Sequence, residues 1–259
     1  MMVRGGRLFA LWEAGLPTEI DPVTLETIGT DAFDDLVRMG FSAHPHHVPA
    51  RKAAYNFGIC PGPKSVLDLF ELPDDPALPP RRFGGVPVSP LGMVHDFAAT
   101  RDHLIFFISP LRLRLLPALL GLSGFDESLA WEPERGTEVV VVPIDAPERL
   151  TRFRCEPFYQ WHFANAFERE GQIVIDFCRY PNFGSNDWLR RIYTGEPLFE
   201  CWGALTRATI QDGSIAFETL WNHPCDFPEI HPSVAGAPHR YVYLAAHQDI
   251  EATTRGMQD

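Results

Sequence analysis

Residues 161–177 read WHFANAFEREGQIVIDF, in which two runs of apolar and aromatic residues flank the polar sequence REGQ at 169–172. Residues 203–221, GALTRATIQDGSIAFETLW, repeat this arrangement around an Asp-Gly pair, which accommodates the positive φ angles of a tight turn. Short runs of β-branched and aromatic residues on both sides of a turn are typical of paired strands. Each stretch therefore predicts an antiparallel β-hairpin.

Similar short runs occur along the whole chain, and we interpret them as strands. The chain has 24 prolines and 20 glycines, which punctuate the runs, and no long helical segments separate them. The sequence therefore predicts an all-β architecture, either a sandwich, a barrel or a propeller. Besides the two hairpins, the runs are GRLFALWEA, AAYNFG, HLIFFIS, TEVVVVP and RYVYLAA.

Three histidines, His44, His95 and His162, each stand at the opening of a strand-like run. The separations are 51 residues between the first two and 67 between the last two. These spacings exclude a short metal-binding loop, but they suit ligands delivered from successive modules of a repeated sheet. They also favour the propeller among the all-β folds, because its inner strands all face one central axis.

Composition limits the classes of partner. The chain has 259 residues, of which 45% are hydrophobic, and a formal charge of -12, which argues against nucleic acid as a partner. Its five cysteines form no CxxC pair, and no run approaches the 18 apolar residues of a membrane span. The length allows either one all-β unit or two ordinary domains, of which we expect the single domain, over residues 1–259. We also expect reduced thiols, a cytoplasmic location and no defined protein partner.

The leucine-rich stretch 109–131, SPLRLRLLPALLGLSGFDESLAW, departs from the strand pattern. It predicts a short helical or irregular excursion that Pro117 and Gly121 interrupt, and that caps the sheets. The alternative is an apolar lip that admits a greasy substrate or makes weak contact with a membrane surface, with Arg112 and Arg114 as its cationic edge.

Six ordered sequence blocks resemble those of the carotenoid cleavage oxygenase family, which includes carotenoid, apocarotenoid and lignostilbene dioxygenases and a retinoid isomerase. The resemblance covers nearly the whole chain. The blocks are LWEAGLPTEIDPVTLETIG; FSAHPHHVP with YNFG; MVHDFAAT with FFISPL; WEPERGTEVVVVP; WHFANAFE with IVIDFCRYPN; and CDFPEI followed by HRYVY.

The resemblance implies a seven-bladed β-propeller with a dome of loops over an apolar tunnel. Its axis would hold an Fe(II) ion bound by four histidines, of which the first three match His44, His95 and His162. The fourth lies in the family near the C-terminus, well beyond the block that ends at Tyr243. We therefore expect this sequence to lack both terminal parts and to form about four to five blades of the propeller with a loop and short-helix cap.

The resemblance also implies carboxylates that hydrogen-bond to the ligand histidines from behind. Glu13 matches one such position. Asp226 stands where the family commonly has a glutamate, and we expect it to reach His162 through a long or water-mediated bond because Asp is one methylene shorter. His46 and His47 are not expected to converge with His44, since Pro45 intervenes. Phe106, Phe107, Phe158, Tyr159, Trp161 and Phe163 fit equally an apolar tunnel and simple core packing.

The activity implied is the cleavage of a conjugated C=C bond by O2 into two carbonyl products, on a carotenoid or apocarotenoid rather than a stilbene. One alternative is a truncated, inactive propeller fragment that acts at most as a binding or structural module, with low iron occupancy. A second is a zinc hydrolase that uses three histidines and a water.

Overall fold

The computed structural model describes residues 1–13, 15–62, 65–114, 126–191 and 201–246 of the chain. Within these ranges the chain forms twenty strands, one α-helix (α1, Ser185–Arg191) and several 3-10 turns. The strands are β1 Met2–Arg4, β2 Arg7–Ala10, β3 Thr18–Ile20, β4 Thr27–Thr30, β5 His46–Val48, β6 Ala53–Cys60, β7 Ser65–Pro73, β8 Arg81–Val88, β9 Ala98–Ala99, β10 His103–Ile108, β11 Leu111–Leu113, β12 Leu129–Trp131, β13 Thr137–Pro143, β14 Thr151–Cys155, β15 Tyr159–Arg169, β16 Gln172–Tyr180, β17 Ala204–Gln211, β18 Ser214–Trp221, β19 Cys225–Glu229 and β20 Tyr243–Ala246. The 3-10 turns are Pro49–Arg51, Asp126–Ser128, Pro133–Arg135, Pro147–Arg149 and Pro232–Val234.

The strands form four antiparallel sheets of four strands each, which are the blades of a propeller. In chain order the blades contain β1 to β4, β5 to β8, β9 with β10, β13 and β14, and β15 to β18. The pair β19 and β20 adds part of a fifth blade. The innermost strands β5, β9, β15 and β19 are successive neighbours around one axis. The predicted all-β fold, a partial propeller of four to five blades, is confirmed.

Both predicted hairpins are confirmed, and their turns show why they form. β15 and β16 meet across Glu170 and Gly171, and β17 and β18 meet across Asp212 and Gly213. All four turn residues have positive φ, between 49° and 78°. Two consecutive positive φ values match the right-handed twist of the flanking strands, so these turns fix the register of the last complete blade.

The core lies between neighbouring blades, and the run of four valines in β13 shows how it is built. Val140 and Val142 pack with the blade β5 to β8, whereas Val139 and Val141 pack on the other side with the blade β15 to β18. All four are at most 7% exposed. A strand buried on both faces reads as a continuous apolar run rather than an alternating one. Burial of each side chain contributes about 1.5–3 kcal/mol.

The two ends of the leucine-rich stretch form strands β11 and β12, contrary to the prediction for this stretch. These strands pair with each other in antiparallel register. Residues 115–125, which include Pro117 and Gly121, lie outside the described residues. Arg112 lies 3.5 Å from Glu132, so its charge has a partner within the chain. No helix among the described residues is long and apolar enough to cross a membrane.

One buried ion pair ties the loop before β20 to the last complete blade. Asp176 in β16 is 1% exposed and accepts two hydrogen bonds from Arg207, of 2.8 and 2.7 Å. His239 Nε2 lies 3.0 Å from the same carboxylate. Burial disfavours the charged form of Asp176, but Arg207 and His239 outweigh it and lower the pKa of its carboxyl below 3.8. Loss of this carboxylate would leave the buried His239 ring and the partly exposed Arg207 guanidinium without this partner.

We predict that Asp176→Ala lowers the free energy of unfolding by about 1–3 kcal/mol, since it removes the hydrogen bonds from Arg207 and leaves the buried His239 Nε2 without its acceptor. Urea unfolding followed by circular dichroism measures this change. Glu134→Ala, which removes an exposed carboxylate, is the control and should stay within about 0.5 kcal/mol of the unaltered chain. Equal stabilities of the two variants would contradict the assigned role.

The same pair predicts a pH dependence. Because the pKa of Asp176 is lower in the folded chain than in the unfolded one, its contribution is present above pH 3.8 and is lost as the pH falls through the lowered value. The Asp176→Asn variant has no carboxyl to titrate at this position. Its free energy of unfolding should therefore fall less steeply than that of the unaltered chain between about pH 5 and about pH 2.

Candidate metal centre

The three sequence-predicted histidines lie on, or just before, the inner strands of three successive blades. His44 lies two residues before β5 and His95 three residues before β9, whereas His162 lies within β15. The prediction that each histidine stands at the opening of a strand is therefore only approximately correct. Each inner strand runs along the axis, so residues far apart in sequence face the same point. All three side chains are half-buried.

The Nε2 atoms of these histidines face one another. The distance is 3.0 Å between His44 and His95 and 3.3 Å between His95 and His162. The ring centroids lie 4.5 to 5.1 Å apart, with the rings tilted by 59° to 75°. Among the described residues, no other set of three or more His, Cys, Asp or Glu side chains meets the geometry of a metal site.

Asp226 in β19 fixes the ring of His162. Its Oδ1 lies 3.1 Å from His162 Nδ1 and also accepts the backbone N–H of Phe227, while Oδ2 accepts a 2.7 Å hydrogen bond from the hydroxyl of Tyr180. The contact with His162 is direct, at the long end of the normal range, so no bridging water is needed. The shorter aspartate thus reaches the ring, held from behind by Tyr180.

Glu13 approaches His95 in the same way. Its Oε1 lies 2.8 Å from His95 Nδ1, although the two groups are poorly aligned for a hydrogen bond. Burial disfavours the charged form of Glu13, but its interactions with His95 outweigh this and lower the pKa of the carboxyl. The sequence-predicted Glu13 and Asp226 are therefore next to the rings of His95 and His162, on the side away from the centre.

The contacts of Glu13 and Asp226 determine which ring nitrogens of His95 and His162 carry hydrogens, and they leave two acceptor nitrogens facing each other. A carboxylate only accepts hydrogen bonds, so the Nδ1 atoms of His95 and His162 carry the hydrogens. In neutral rings their Nε2 atoms then have lone pairs but no proton, 3.3 Å apart. Two facing lone pairs repel each other, whereas a cation between them would bind both.

The geometry and chemistry of the triad fit a first-row transition metal. Imidazole nitrogens bind such metals at about 2.0–2.1 Å, so two nitrogens on adjacent coordination positions lie about 3 Å apart. The observed 3.0 and 3.3 Å agree with this. Neutral imidazole is also a suitable ligand for iron, zinc and copper. The residues present therefore fit a metal ion bound by His44, His95 and His162.

The surrounding protein shifts the pKa values of His44 and His162 in opposite directions. Burial, together with the like charges of neighbouring imidazoles, lowers the pKa of His44 to about 4, so this ring is neutral at pH 7. Burial also disfavours a charged His162, but the hydrogen bond and negative charge of Asp226 outweigh it and raise the pKa of that ring. A proton on His162 would compete with a metal, which binds neutral imidazole.

Of the aromatic residues near the histidines, most belong to the core. Phe106, Phe107, Phe158, Tyr159 and Phe163 are at most 4% exposed and pack within or between blades, because their strands are sandwiched by neighbours. Trp161 is the exception among the six, since its ring lies edge-on to His95 at 5.1 Å. Phe163 also contributes to the wall of a cavity.

That cavity, of about 480 Å³, lies beside His44 and His162. Small residues such as Ala98 and Ala164 line much of it, together with Phe227, whose ring lies 4.7 Å from that of His162. Phe227 is 64% exposed and has a positive φ of 52°, a conformation that is strained for a non-glycine residue. Such strain is often found at functional sites.

The remaining histidines make ordinary contacts, as far as the structure describes them. His47 pairs with Asp74 and His103 with Glu168. His46, as expected, does not join the triad, but it contacts the buried carboxylate of Asp96 at 2.7 Å. Sequence analysis assigned no role to Asp96 or Tyr180. His247 lies outside the described residues.

The sequence matches the family model described as retinal pigment epithelial membrane protein, RPE65, over residues 1–258. Apocarotenoid-15,15'-oxygenase of Synechocystis sp. is 33% identical in an alignment 254 residues long that covers 93% of this chain and 51% of that protein. Isoeugenol monooxygenase of Pseudomonas putida is 33% identical in an alignment 179 residues long that covers 66% of this chain and 35% of that protein.

Solved structures agree. A crystal structure of cobalt-substituted Synechocystis ACO has a TM-score of 0.83 and 30% sequence identity, covering 96% of this chain and 53% of that one. The chain thus spans about half the length of its Synechocystis relative. Because the family model matches almost every residue and the blades superimpose on those of a solved relative, this chain belongs to the RPE65/carotenoid cleavage oxygenase family.

Proposed function

We propose that this chain carries the iron site of an oxygenase that cleaves a conjugated C=C bond, with Fe(II) bound by His44, His95 and His162. The observation that carries the proposal is the set of Nε2 distances, 3.0 and 3.3 Å, around one point. The metal in the related crystal structure is cobalt, introduced by substitution, which supports a metal in this fold but not its identity here. Iron is proposed from the family and from the reaction.

The reaction joins both atoms of O2 to the two carbons of the alkene and breaks the bond between them, giving two carbonyl compounds. Fe(II) would supply the electronic route by which triplet O2 reacts with a closed-shell alkene. The protein residues bind and orient. Asp226 holds the hydrogen of His162 on Nδ1 by a hydrogen bond, and the negative charge of Glu13, 2.8 Å from His95 Nδ1, favours the same tautomer in that ring, so that both Nε2 atoms are free to bind a metal.

We propose a carotenoid or apocarotenoid as substrate. The relatives are named for an apocarotenoid and for isoeugenol, and both molecules contain a conjugated double bond. The site offers apolar surface for such a substrate, with Trp161 next to His95 and Phe227 next to His162. Ring faces and edges of this kind bind flat conjugated chains without polar contacts.

A zinc hydrolase needs a carboxylate or histidine that activates a metal-bound water. The carboxylates that contact the triad or its neighbours are already engaged: Glu13 with His95, Asp226 with His162 and Tyr180, and Asp96 with three donors. Glu229 also lines the cavity, but among the described residues its carboxylate makes no hydrogen bond to the triad. The geometry therefore favours the oxygenase.

An inactive binding or structural module is the other candidate. Among the described residues three imidazoles converge, whereas the family resemblance implies four ligands. A module of this kind would fold and keep the triad but would not consume O2. Iron content and oxygen consumption therefore decide between the two functions.

We predict that the chain reconstituted anaerobically with Fe(II) binds about one iron per chain and consumes O2 in the presence of an apocarotenoid. His162→Ala should lower iron content to below about a tenth, because two imidazoles remain and one facing pair is lost. Metal analysis and an oxygen electrode measure both quantities. His103→Gln is the matched control: this histidine also pairs with a carboxylate, but it lies away from the triad. Iron-loaded chain without O2 consumption would support the inactive module.

We further predict that Asp226→Asn weakens metal binding about 10- to 100-fold, as is usual when the carboxylate behind a ligand histidine is removed. Asp226→Glu should retain most of the affinity, since it keeps the negative acceptor. Tyr180→Phe should have a smaller effect in the same direction, because it removes one of the bonds that hold Asp226. Competition titrations with a chelator measure these affinities, and equal values for the Asn and Glu variants would contradict the role of Asp226.

A further inference from the structure

The carboxylate of Asp96 lies at the junction of the three histidine-bearing segments. It is 1% exposed and accepts three hydrogen bonds from the protein. The backbone N–H of Phe97 and the ring of His46 donate to Oδ1, at 2.8 and 2.7 Å, and the backbone N–H of Phe163 donates to Oδ2, at 2.9 Å.

Each donor belongs to a segment that carries one of the facing imidazoles. Asp96 itself follows His95 directly, Phe163 follows His162 directly, and His46 lies two residues after His44. One side chain therefore joins three segments that come from three blades. The register of β15 against β16 is irregular around Phe163, which is where the bond to Asp96 is made. Such irregularities commonly re-aim strands next to functional sites.

A buried carboxylate that loses a donor is costly, so the three bonds hold the segments jointly rather than one by one. Displacement of the Phe163 segment would leave Oδ2 of the buried charge without a donor, and displacement of either other segment would remove one of the two donors to Oδ1. Ser42 makes a second and weaker connection, because its hydroxyl accepts from the backbone N–H of His44 and donates to the carbonyl of His95 at 3.3 Å. Ser42 joins two of the segments, whereas Asp96 joins all three.

His46 shows that the contact is specific. Its ring lies edge-on to Phe97 at 4.7 Å, and its side chain is 26% exposed towards the cavity beside the triad. The ring is thus oriented by packing as well as by the carboxylate. Its Nε2, the atom that in His44 faces the centre, is used here for Asp96 and is not available to a metal.

We propose that Asp96 is a positioning residue, which sets the spacing of His44, His95 and His162 by binding all three of their segments at once. This inference rests on the proposed metal site. The hydrogen bonds of Asp96 go to the backbone of Phe97 and Phe163 and to the ring of His46, and not to the facing nitrogens, so it acts through the ligand segments. Its removal is expected to change the affinity and geometry of the metal, and not only the stability of the fold.

The test uses Co(II) as the probe, because its visible absorption reports coordination geometry. The unaltered chain, Asp96→Asn and Asp176→Asn are each titrated with Co(II), and the melting temperature of each metal-free chain is recorded. Asp176 is the matched control, since it is equally buried and also hydrogen-bonded, but to Arg207 and His239 instead of the ligand segments. We expect Co(II) affinity to fall at least about tenfold, with altered visible bands, for Asp96→Asn alone. Both variants should melt at lower temperature.

Co(II) binding by Asp96→Asn within about twofold of the unaltered chain, with the same spectrum, would overturn the inference whatever the melting temperature. Equal losses of affinity in both variants would overturn it too, since they would reflect general destabilisation. If Asp96→Asn does not fold, His46→Phe decides: it removes one donor at a partly exposed position, and an unchanged affinity and spectrum would refute the role. If the unaltered chain binds no Co(II), the metal site itself fails and the inference fails with it.

Discussion

The close approach of the facing nitrogens of His95 and His162, 3.3 Å apart, is the constraint on which the site depends. When both rings are neutral and carry their hydrogens on Nδ1, the two lone pairs repel in the absence of a cation, so the surrounding protein must hold the rings in place. The carboxylates behind the rings do this, Asp226 by a hydrogen bond to His162 and Glu13 by its negative charge 2.8 Å from His95 Nδ1. This repulsion destabilises the folded chain without metal, and a bound ion would remove it. Metal binding therefore stabilises the fold, which couples folding to metal binding.

The propeller explains how such distant residues meet. Among the described residues, strands β5, β9, β15 and β19 are successive neighbours around the same axis, so residues on or next to them can meet there. The outer strands bury their side chains between blades, as the valines of β13 show, and give the inner strands a rigid base. Side chains that bind metals need support from neighbours that are themselves fixed. Here Asp226 provides it from β19, and Glu13 and Asp96 provide it from the segments that follow β2 and precede β9.

Much of this could be predicted from the sequence, and the limits are instructive. The hairpins were predictable because Asp212 and Gly213 carry a local turn signal, and the histidines because the blocks around them resemble a known family. The pairing of Asp226 with His162 followed from the same blocks. The contacts of Asp96 and Tyr180 could not be predicted, since they depend on which blades are neighbours and on strand register. Neither property leaves a local signal in the sequence.

The central claim is that one metal ion binds at the point that the three imidazoles face. Anomalous diffraction from crystals of the iron-loaded chain, recorded on both sides of the iron absorption edge, tests it most directly. The account predicts one strong peak at about 2.1 Å from the Nε2 atoms of His44, His95 and His162. A peak bound by other side chains, or rings turned away from a common point, would contradict it.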